Sequence, residues 1–148
     1  MALIGVGGVP PAGLSSRVLL DEPLVAAVPP DDPLAARGTV TLRALQERRL
    51  ISLPRGSGLR TCIDEACAAA GLRPRIALEA SAPGALALLA VRGLGVAILP
   101  ESLAKAHEPE LHAVAITRPA LHARIELAWR PDGPASPAAR ALIRLAQS

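Results

Sequence analysis

Aromatic side chains are almost absent from this chain: among its 148 residues there is one Trp, Trp129, and no Tyr or Phe. Proteins that bind single-stranded nucleic acid stack bases on aromatic rings, each stacked base contributing ~1–3 kcal/mol. A duplex reader would need a basic recognition helix, but the basic residues here are scattered and the formal net charge is only +3. We therefore expect no direct binding of nucleic acid by this chain.

Cysteine and long apolar runs are also scarce. The two cysteines, Cys62 and Cys67, are too few for a disulfide framework or a four-cysteine zinc site. The longest apolar stretch, residues 84–100, is interrupted by Arg92 and Gly93 and falls short of the ~20 apolar residues that a membrane span needs. The first 13 residues carry no charge and include two prolines. We therefore expect no signal peptide, no membrane association and a cytoplasmic location.

The sequence is instead rich in small aliphatic residues. Hydrophobic residues make up 51% of the chain and charged residues 20%, a composition that excludes general disorder. The length is that of one domain, whose core has to be packed from Ala, Leu, Val and Ile. Fifteen prolines and twelve glycines divide this apolar material into short elements, so we do not expect a long coiled coil or helical bundle.

The middle third of the chain alternates apolar strands with helices. Its segments, in chain order, are strand 50–53, helix 59–70, strand 76–78, a helix that starts near Ser81, and strand 96–99. Gly71 and Gly93 are placed to end the two helices as left-handed caps. Ser81 is placed to cap the second helix, with Pro83 in its first turn. This order predicts a parallel sheet with crossover helices, and therefore an α/β fold.

The flanking segments are less regular. A glycine- and proline-rich loop is predicted up to Gly13. The other predicted elements are strands 17–20 and 23–28, helix 42–49 capped by Thr41, helical turns at 102–107, strands 111–116 and 123–129, and a final amphipathic helix opened by Ser136 and Pro137.

Two turns in the middle third are the best candidates for a binding site. The first, residues 54–59, contains two glycines and Ser57, and the second, residues 80–84, contains Ser81. Backbone amides at helix starts favour a carboxylate or phosphate by up to ~2 kcal/mol in partly buried geometry. Open α/β sheets bind ligands beyond the carboxyl ends of their strands, where both turns are predicted. The alternative is that Ser57 and Ser81 are only helix caps, worth ~1 kcal/mol each.

Other motifs do not assemble a catalytic site. Residues 5–10 lack the helix that a dinucleotide-binding fingerprint requires, and the three histidines lack metal-ligand spacing. Cys62 and Cys67 are most simply core residues, because no base can be placed beside either thiol. Arg60 could approach an anion from the first turn of its helix, but a solvated helix face is the favoured position. We therefore expect no enzyme activity, no cofactor and no metal; an enzyme that uses one of the cysteines with a histidine is the least favoured alternative.

Three segments follow one another in a recognisable order: PLVAAVPPDDPLAARGTVTLRAL, LISLPRGSGLRTCIDEACAAAGLRPRIALEA and LALLAVRGLGVAILPESLA. In this order they resemble the effector-binding domain of LysR-type transcriptional regulators, and the resemblance runs from about residue 4 to the C-terminus. Its most specific pieces are the strand that ends at Val28 and Pro29, and the segment VRGLGVAILP at residues 91–100.

The resemblance implies an α/β fold of the two-lobed, type 2 periplasmic-binding-protein-like kind, with the first lobe incomplete. By that analogy residues 1–23 are a remnant of the first lobe, residues 24–100 form the second α/β lobe, and residues 101–148 return to the first lobe. Pro29 and Pro100 would lie near the two hinge crossings.

The resemblance also implies a function, which is to sense a small metabolite in the cleft between the lobes. The family's cleft-facing turns fall on the two turns described above, so the expected ligand-binding residues are Pro54, Arg55, Gly56, Ser57, Gly58, Ser81, Ala82 and Pro83. The helix-start argument makes the effector a small anion.

The family's winged helix-turn-helix is not found in the sequence, so DNA would be contacted only through that missing domain. Apolar surface left exposed on an incomplete lobe favours a homo-oligomer. The alternative function is a structural or oligomerisation module that has no competent ligand site.

Overall fold

The computed structural model describes residues 2–6, 15–129 and 137–147. Within these ranges the elements are β1 (Ala2–Val6), β2 (Ser15–Val28), β3 (Thr39–Thr41), α1 (Leu42–Leu45), β4 (Leu50–Ser52), α2 (Gly58–Ala69), β5 (Ile76–Glu79), α3 (Pro83–Val91), β6 (Val96–Pro100), α4 (Glu101–Ala106), β7 (His112–Thr117), β8 (His122–Trp129) and α5 (Pro137–Gln147). The predicted loop at residues 7–13 and Ser136 lie outside the described residues, whereas the predicted final helix is present as α5. No described helix has the length and apolarity needed to cross a membrane.

β2 is one strand of 14 residues, where the sequence pattern predicted two. Its first part, residues 15–23, pairs antiparallel with β8, which in turn pairs antiparallel with β1. Its second part, residues 24–28, pairs with β6 on one side and β7 on the other. Pro23 lies where the partners change, so its missing N–H breaks no ladder. The next N–H, that of Leu24, donates to the Leu121 carbonyl at 2.8 Å.

The strands therefore form two regions that share β2. We call β1, β8 and the first part of β2 the first sheet; the second sheet has the order β3-β7-β2-β6-β4-β5. β4 runs parallel to both β5 and β6, and β2 runs antiparallel to its neighbours. The α/β class and the parallel arrangement of the three strands from the middle third of the chain are confirmed.

Helices cover both faces of the second sheet. In β2, the side chains of Leu24, Ala26 and Val28 belong to one buried cluster, which includes α2. The side chains of Val25 and Ala27 belong to a second cluster, which includes α3. β5 lies on one side of β4 and β6 on the other, so right-handed crossovers carry the two helices to opposite faces.

The chain returns to the first sheet with β8. β7 pairs with the second part of β2 and with β3, so residues up to Thr117 belong to the second sheet. β8, which begins at His122, is the strand that pairs with the first part of β2. The change of sheet therefore falls between residues 117 and 122. The buried residues Ala104 and Leu111, between β6 and β7, cover the same face of the second sheet as α3.

The ends of α2 and α3 fall at the predicted glycines, but the start of α3 differs from the prediction. Gly71 (φ +69°) and Gly93 (φ +75°) adopt left-handed conformations after the two helices, which confirms both predicted stops. The N-cap of α3 is Ala82, which makes no side-chain capping bond. The prediction that Ser81 caps this helix is therefore wrong. Pro83 begins the helix instead, because its fixed φ suits the first helical position.

The buried face of α2 carries both cysteines. Cys62 is 8% exposed and Cys67 is 3% exposed. Burial, reinforced by the nearby carboxylate of Glu65, raises the pKa of the Cys62 thiol. Burial and the carboxylate of Asp64 raise the pKa of the Cys67 thiol. Both thiols therefore stay protonated at neutral pH, which is the opposite of an activated nucleophile.

Gly95, just before β6, has no room for a side chain. A Cβ there would lie 2.8 Å from Ile51 Cγ1 and 2.9 Å from the Arg49 carbonyl oxygen. We expect Gly95→Ala to lower the free energy of unfolding by about 1–3 kcal/mol, as measured by urea denaturation. Gly84→Ala is the matched control, because a Cβ at Gly84 meets nothing within 4 Å. Equal stability of the two variants would contradict the predicted clash.

The two thiols should react with an alkylating reagent only when the chain unfolds. We expect labelling of the native chain at neutral pH to be at least about 100-fold slower than labelling in denaturant, because the reagent needs an exposed thiolate. The raised pKa values also set a pH dependence. Their contribution to stability is complete below the unfolded thiol pKa of ~8.5 and is lost as the pH rises through the folded pKa values. Mass spectrometry would count labelled cysteines, and fast native labelling would refute this account.

Candidate ligand-binding site

The two turns predicted to bind a ligand lie at one rim of the second sheet. β4 and β5 are parallel neighbours, and their last residues, Ser52 and Glu79, are directly paired. The Ala80 N–H donates to the Ser52 carbonyl at 3.1 Å, so the turns that follow the two strands start side by side. We call residues 53–58 and 80–84 together the carboxyl rim.

The carboxyl rim is on the side of the second sheet from which β2 continues into the first sheet. β6 ends at Pro100, which is paired with Leu24, the first residue of β2 in the second sheet. β6 is parallel to β4, so both strands end at this rim. Pro100 therefore lies beside the crossing. Pro29 follows the other end of β2, so its position gives no support to the predicted hinge there.

The start of α2 leaves two backbone amides available. Ser57 is the N-cap, and its hydroxyl oxygen accepts a hydrogen bond from the Arg60 N–H at 3.1 Å. Gly56 forms the preceding turn with φ +100°, a conformation that glycine adopts without strain. Among the described residues, no group accepts from the amides of Gly58 and Leu59. These two N–H groups are suitable donors for an anion.

The start of α3 offers a further donor. Ala82 has no side-chain oxygen with which to cap the helix, and Pro83 has no N–H. The Ala85 N–H donates to the Ala82 carbonyl at 3.1 Å, whereas the Gly84 amide has no acceptor in the described part of the chain. Ser81 is exposed, so its hydroxyl is left for solvent or a ligand.

Arg60, in the first turn of α2, is buried beneath the carboxyl rim. It is 5% exposed, so the prediction of a solvated helix face is wrong. Its guanidinium donates to the Leu53 carbonyl at 3.1 Å, to Glu79 Oε1 at 3.2 Å and to both oxygens of Asp64 at 3.0 and 3.1 Å. Burial by itself would lower the pKa of Arg60, but the hydrogen bonds and charges of Asp64 and Glu79 outweigh it and raise the pKa. The side chain is therefore charged at every physiological pH.

The carboxyl rim carries charges of both signs. Arg55 is an exposed cation in the first turn. The Glu79 side chain, at the end of β5, is 52% exposed and shares its carboxylate with Arg60. The Ser52 hydroxyl is buried and has no hydrogen-bond partner within the described ranges. Burying an unpaired hydroxyl costs about 1–3 kcal/mol.

An open cavity of about 520 Å³ lies elsewhere, between α2 and the strands that cross between the sheets. Its described lining residues are Asp21, Cys62, Glu65, Ala66, Ala120, Leu121, His122 and Arg124. They include none of the residues predicted to bind a ligand. Sequence patterns could not reveal this cavity, because α2 faces strand residues that lie about 40–60 positions away from it in the chain.

The cavity brings Cys62 near His122, but not in a catalytic arrangement. The thiol sulfur lies 3.7 Å from the His122 carbonyl oxygen, and the imidazole Nδ1 lies 3.0 Å from Asp21 Oδ1. The ring is therefore engaged by a carboxylate and not by the thiol. Within the described ranges, no three His, Cys, Asp or Glu side chains are grouped to hold a metal ion.

Comparison with known proteins gives a family match over almost the whole chain. The family described as LysR substrate binding domain matches residues 2–148. The HTH-type transcriptional regulator YybE of Bacillus subtilis (strain 168) is 32% identical over 111 residues, which are 75% of this chain and 38% of that protein. The HTH-type transcriptional regulator IlvR of Caulobacter vibrioides is 34% identical over 137 residues, 91% of this chain and 45% of its own length. The chain thus spans less than half of either regulator.

Solved structures agree in fold. The effector binding domain of QuiR, in complex with shikimate, superposes with a TM-score of 0.80 at 26% identity, covering 97% of this chain and 69% of that one. The CcmR regulatory domain of Synechocystis PCC6803, in complex with 2-PG, gives a TM-score of 0.78 at 22% identity, with coverages of 97% and 71%. The fold is part of the type 2 periplasmic-binding-protein-like domain. The chain therefore belongs to the LysR substrate-binding domain family, the effector-binding part of transcriptional regulators and not of enzymes.

Proposed function

We propose that this chain senses a small organic anion, which binds at the carboxyl rim as the effector of a LysR-type regulator. The observation that carries the proposal is the side-by-side position of the α2 and α3 starts beside the first sheet. The amides of Gly58, Leu59 and Gly84 have no acceptors there within the described residues. A carboxylate or phosphate group would receive hydrogen bonds from both helix starts, and both macrodipoles would favour its charge.

The ligands of similar proteins support this chemistry. The QuiR domain is in complex with shikimate, which is a small carboxylate, and the CcmR domain is in complex with 2-PG. The predicted ligand-binding residues of the two turns, residues 54–58 and 81–83, are retained in this proposal.

The proposal also covers the division into lobes and the partners. Residues 2–23 and β8 would belong to the first lobe, and residues 24–117 to the second, with the effector between them and a hinge near Pro100. The chain would act in the cytoplasm as a homo-oligomer. It would make no contact with DNA itself, so DNA binding would need a separate helix-turn-helix domain.

A panel of small carboxylates and phosphate monoesters, shikimate included, should contain at least one compound that raises the melting temperature. A ligand at 100 times its Kd would add about 2.7 kcal/mol to the free energy of unfolding. Gly84→Asp should weaken that hit at least about tenfold, because a carboxylate in the first turn of α3 takes the place of the anion and repels it. Isothermal titration would give the two Kd values.

Gly38→Asp is the matched control. Gly38 is exposed, a Cβ there meets nothing within 4 Å, and it precedes β3 at the opposite rim. The same charge at Gly38 should leave the affinity within about twofold, since exposed charges beyond ~10 Å are screened. Equal losses in both variants would place the anion elsewhere. No stabilisation by any compound, together with self-association, would instead favour the structural or oligomerisation module.

A further inference from the structure

We propose that Arg60 is a positioning residue, which holds the two helix starts of the carboxyl rim in a fixed relation to each other. This inference rests on the proposed function, because it concerns how the same rim presents its amides to an anion. Arg60 is not proposed to touch the ligand. It would act through the Leu53 carbonyl and the Glu79 carboxylate.

One nitrogen of Arg60 reaches both turns. Its Nη1 donates to the Leu53 carbonyl at 3.1 Å and to Glu79 Oε1 at 3.2 Å. Leu53 is the residue with which the first turn leaves β4, and Glu79 is the last residue of β5 before the second turn. A displacement of either turn relative to the other therefore has to break one of these two bonds.

The guanidinium is itself held by α2. Its Nε donates to both carboxylate oxygens of Asp64, at 3.0 and 3.1 Å, and the Arg60 N–H is fixed by the Ser57 hydroxyl. The side chain is 6% exposed and its bond to the Leu53 carbonyl is buried, so that bond is shielded from water and stronger than it would be at the surface. A planar fork of donors can serve three acceptors at once, whereas a lysine ammonium would be a single point charge.

The charge of Glu79 allows a test of the inference, because loss of its charge and loss of its anchoring role change the anion affinity in opposite directions. Glu79 is a half-exposed carboxylate at the edge of a site proposed for anions. If it acted only through its charge, every neutral replacement would strengthen anion binding, by about threefold for one charge ~7 Å away in water. If it serves as the anchor for Arg60, a replacement that keeps the acceptor and one that removes it should have opposite effects.

The experiment uses inorganic phosphate as the probe, titrated into the 148-residue chain while the amide chemical shifts of Gly58, Leu59 and Gly84 are followed. Glu79→Gln keeps an oxygen for Arg60 and should lower the phosphate Kd by about threefold. Glu79→Ala removes that oxygen and should raise the Kd by at least about threefold, despite the lost repulsion. Glu47→Ala, which removes the same charge from an exposed turn at the opposite rim, should leave the Kd unchanged. Tighter binding by both Glu79 variants would overturn the positioning role.

A measurement without ligand separates this inference from the proposed function. In the ligand-free chain, backbone order parameters of Gly56 and Ser81 should fall from near ~0.85 towards ~0.6 in Glu79→Ala and stay high in Glu79→Gln. Unchanged order parameters in Glu79→Ala would overturn the role of Arg60. A wild-type chain that binds no phosphate while these order parameters change as expected would refute the anion site and keep the coupling between the turns. Glu79 is half-exposed, and Glu79→Gln keeps an acceptor for Arg60. We therefore expect this variant to fold as the wild type does.

Discussion

Burial of β2 on both of its faces is the constraint on which the rest of the structure depends. From Leu24 to Val28 its side chains are 0–3% exposed, although five consecutive apolar residues in a strand point alternately to opposite sides. Neither face can be left in water, so helices have to cover both. The crossovers on either side of β4 carry those helices, and they bring the starts of α2 and α3 to one rim. The candidate site is thus a by-product of how the core is closed.

Much of this could be predicted because the signals are local. The three parallel strands are short apolar runs, and the two helices between them end at Gly71 and Gly93, whose left-handed φ values few other residues adopt without strain. Parallel pairing then follows from the length of the crossovers. The position of both turns at one rim needed no further information, which is why the site region could be proposed before the structure.

The errors come from residues whose role is set by distant partners. The sequence pattern predicts separate strands at 17–20 and 23–28, but one strand passes through Pro23 because its partners change there. Ser81 has the side chain of a cap, yet Pro83 decides where α3 starts. Arg60 has the charge of a surface residue, and its burial depends on acceptors supplied by Leu53 and Glu79, which no helical periodicity can reveal. α1 ends at Leu45 instead of continuing to Arg49, since the chain has to turn before entering β4.

The uninterrupted course of β2 through both sheets limits how the two halves of the molecule can move. Hydrogen-bond ladders begin on either side of Pro23, and the Leu24–Leu121 bond ties the two crossing segments together. Sliding one half past the other would shift the register of both ladders and turn apolar side chains to the wrong face. Rotation about a few backbone dihedral angles at the crossing leaves every strand pair in register. The motion that the strand pairing allows between the two halves is therefore a change in the angle between them, not a translation.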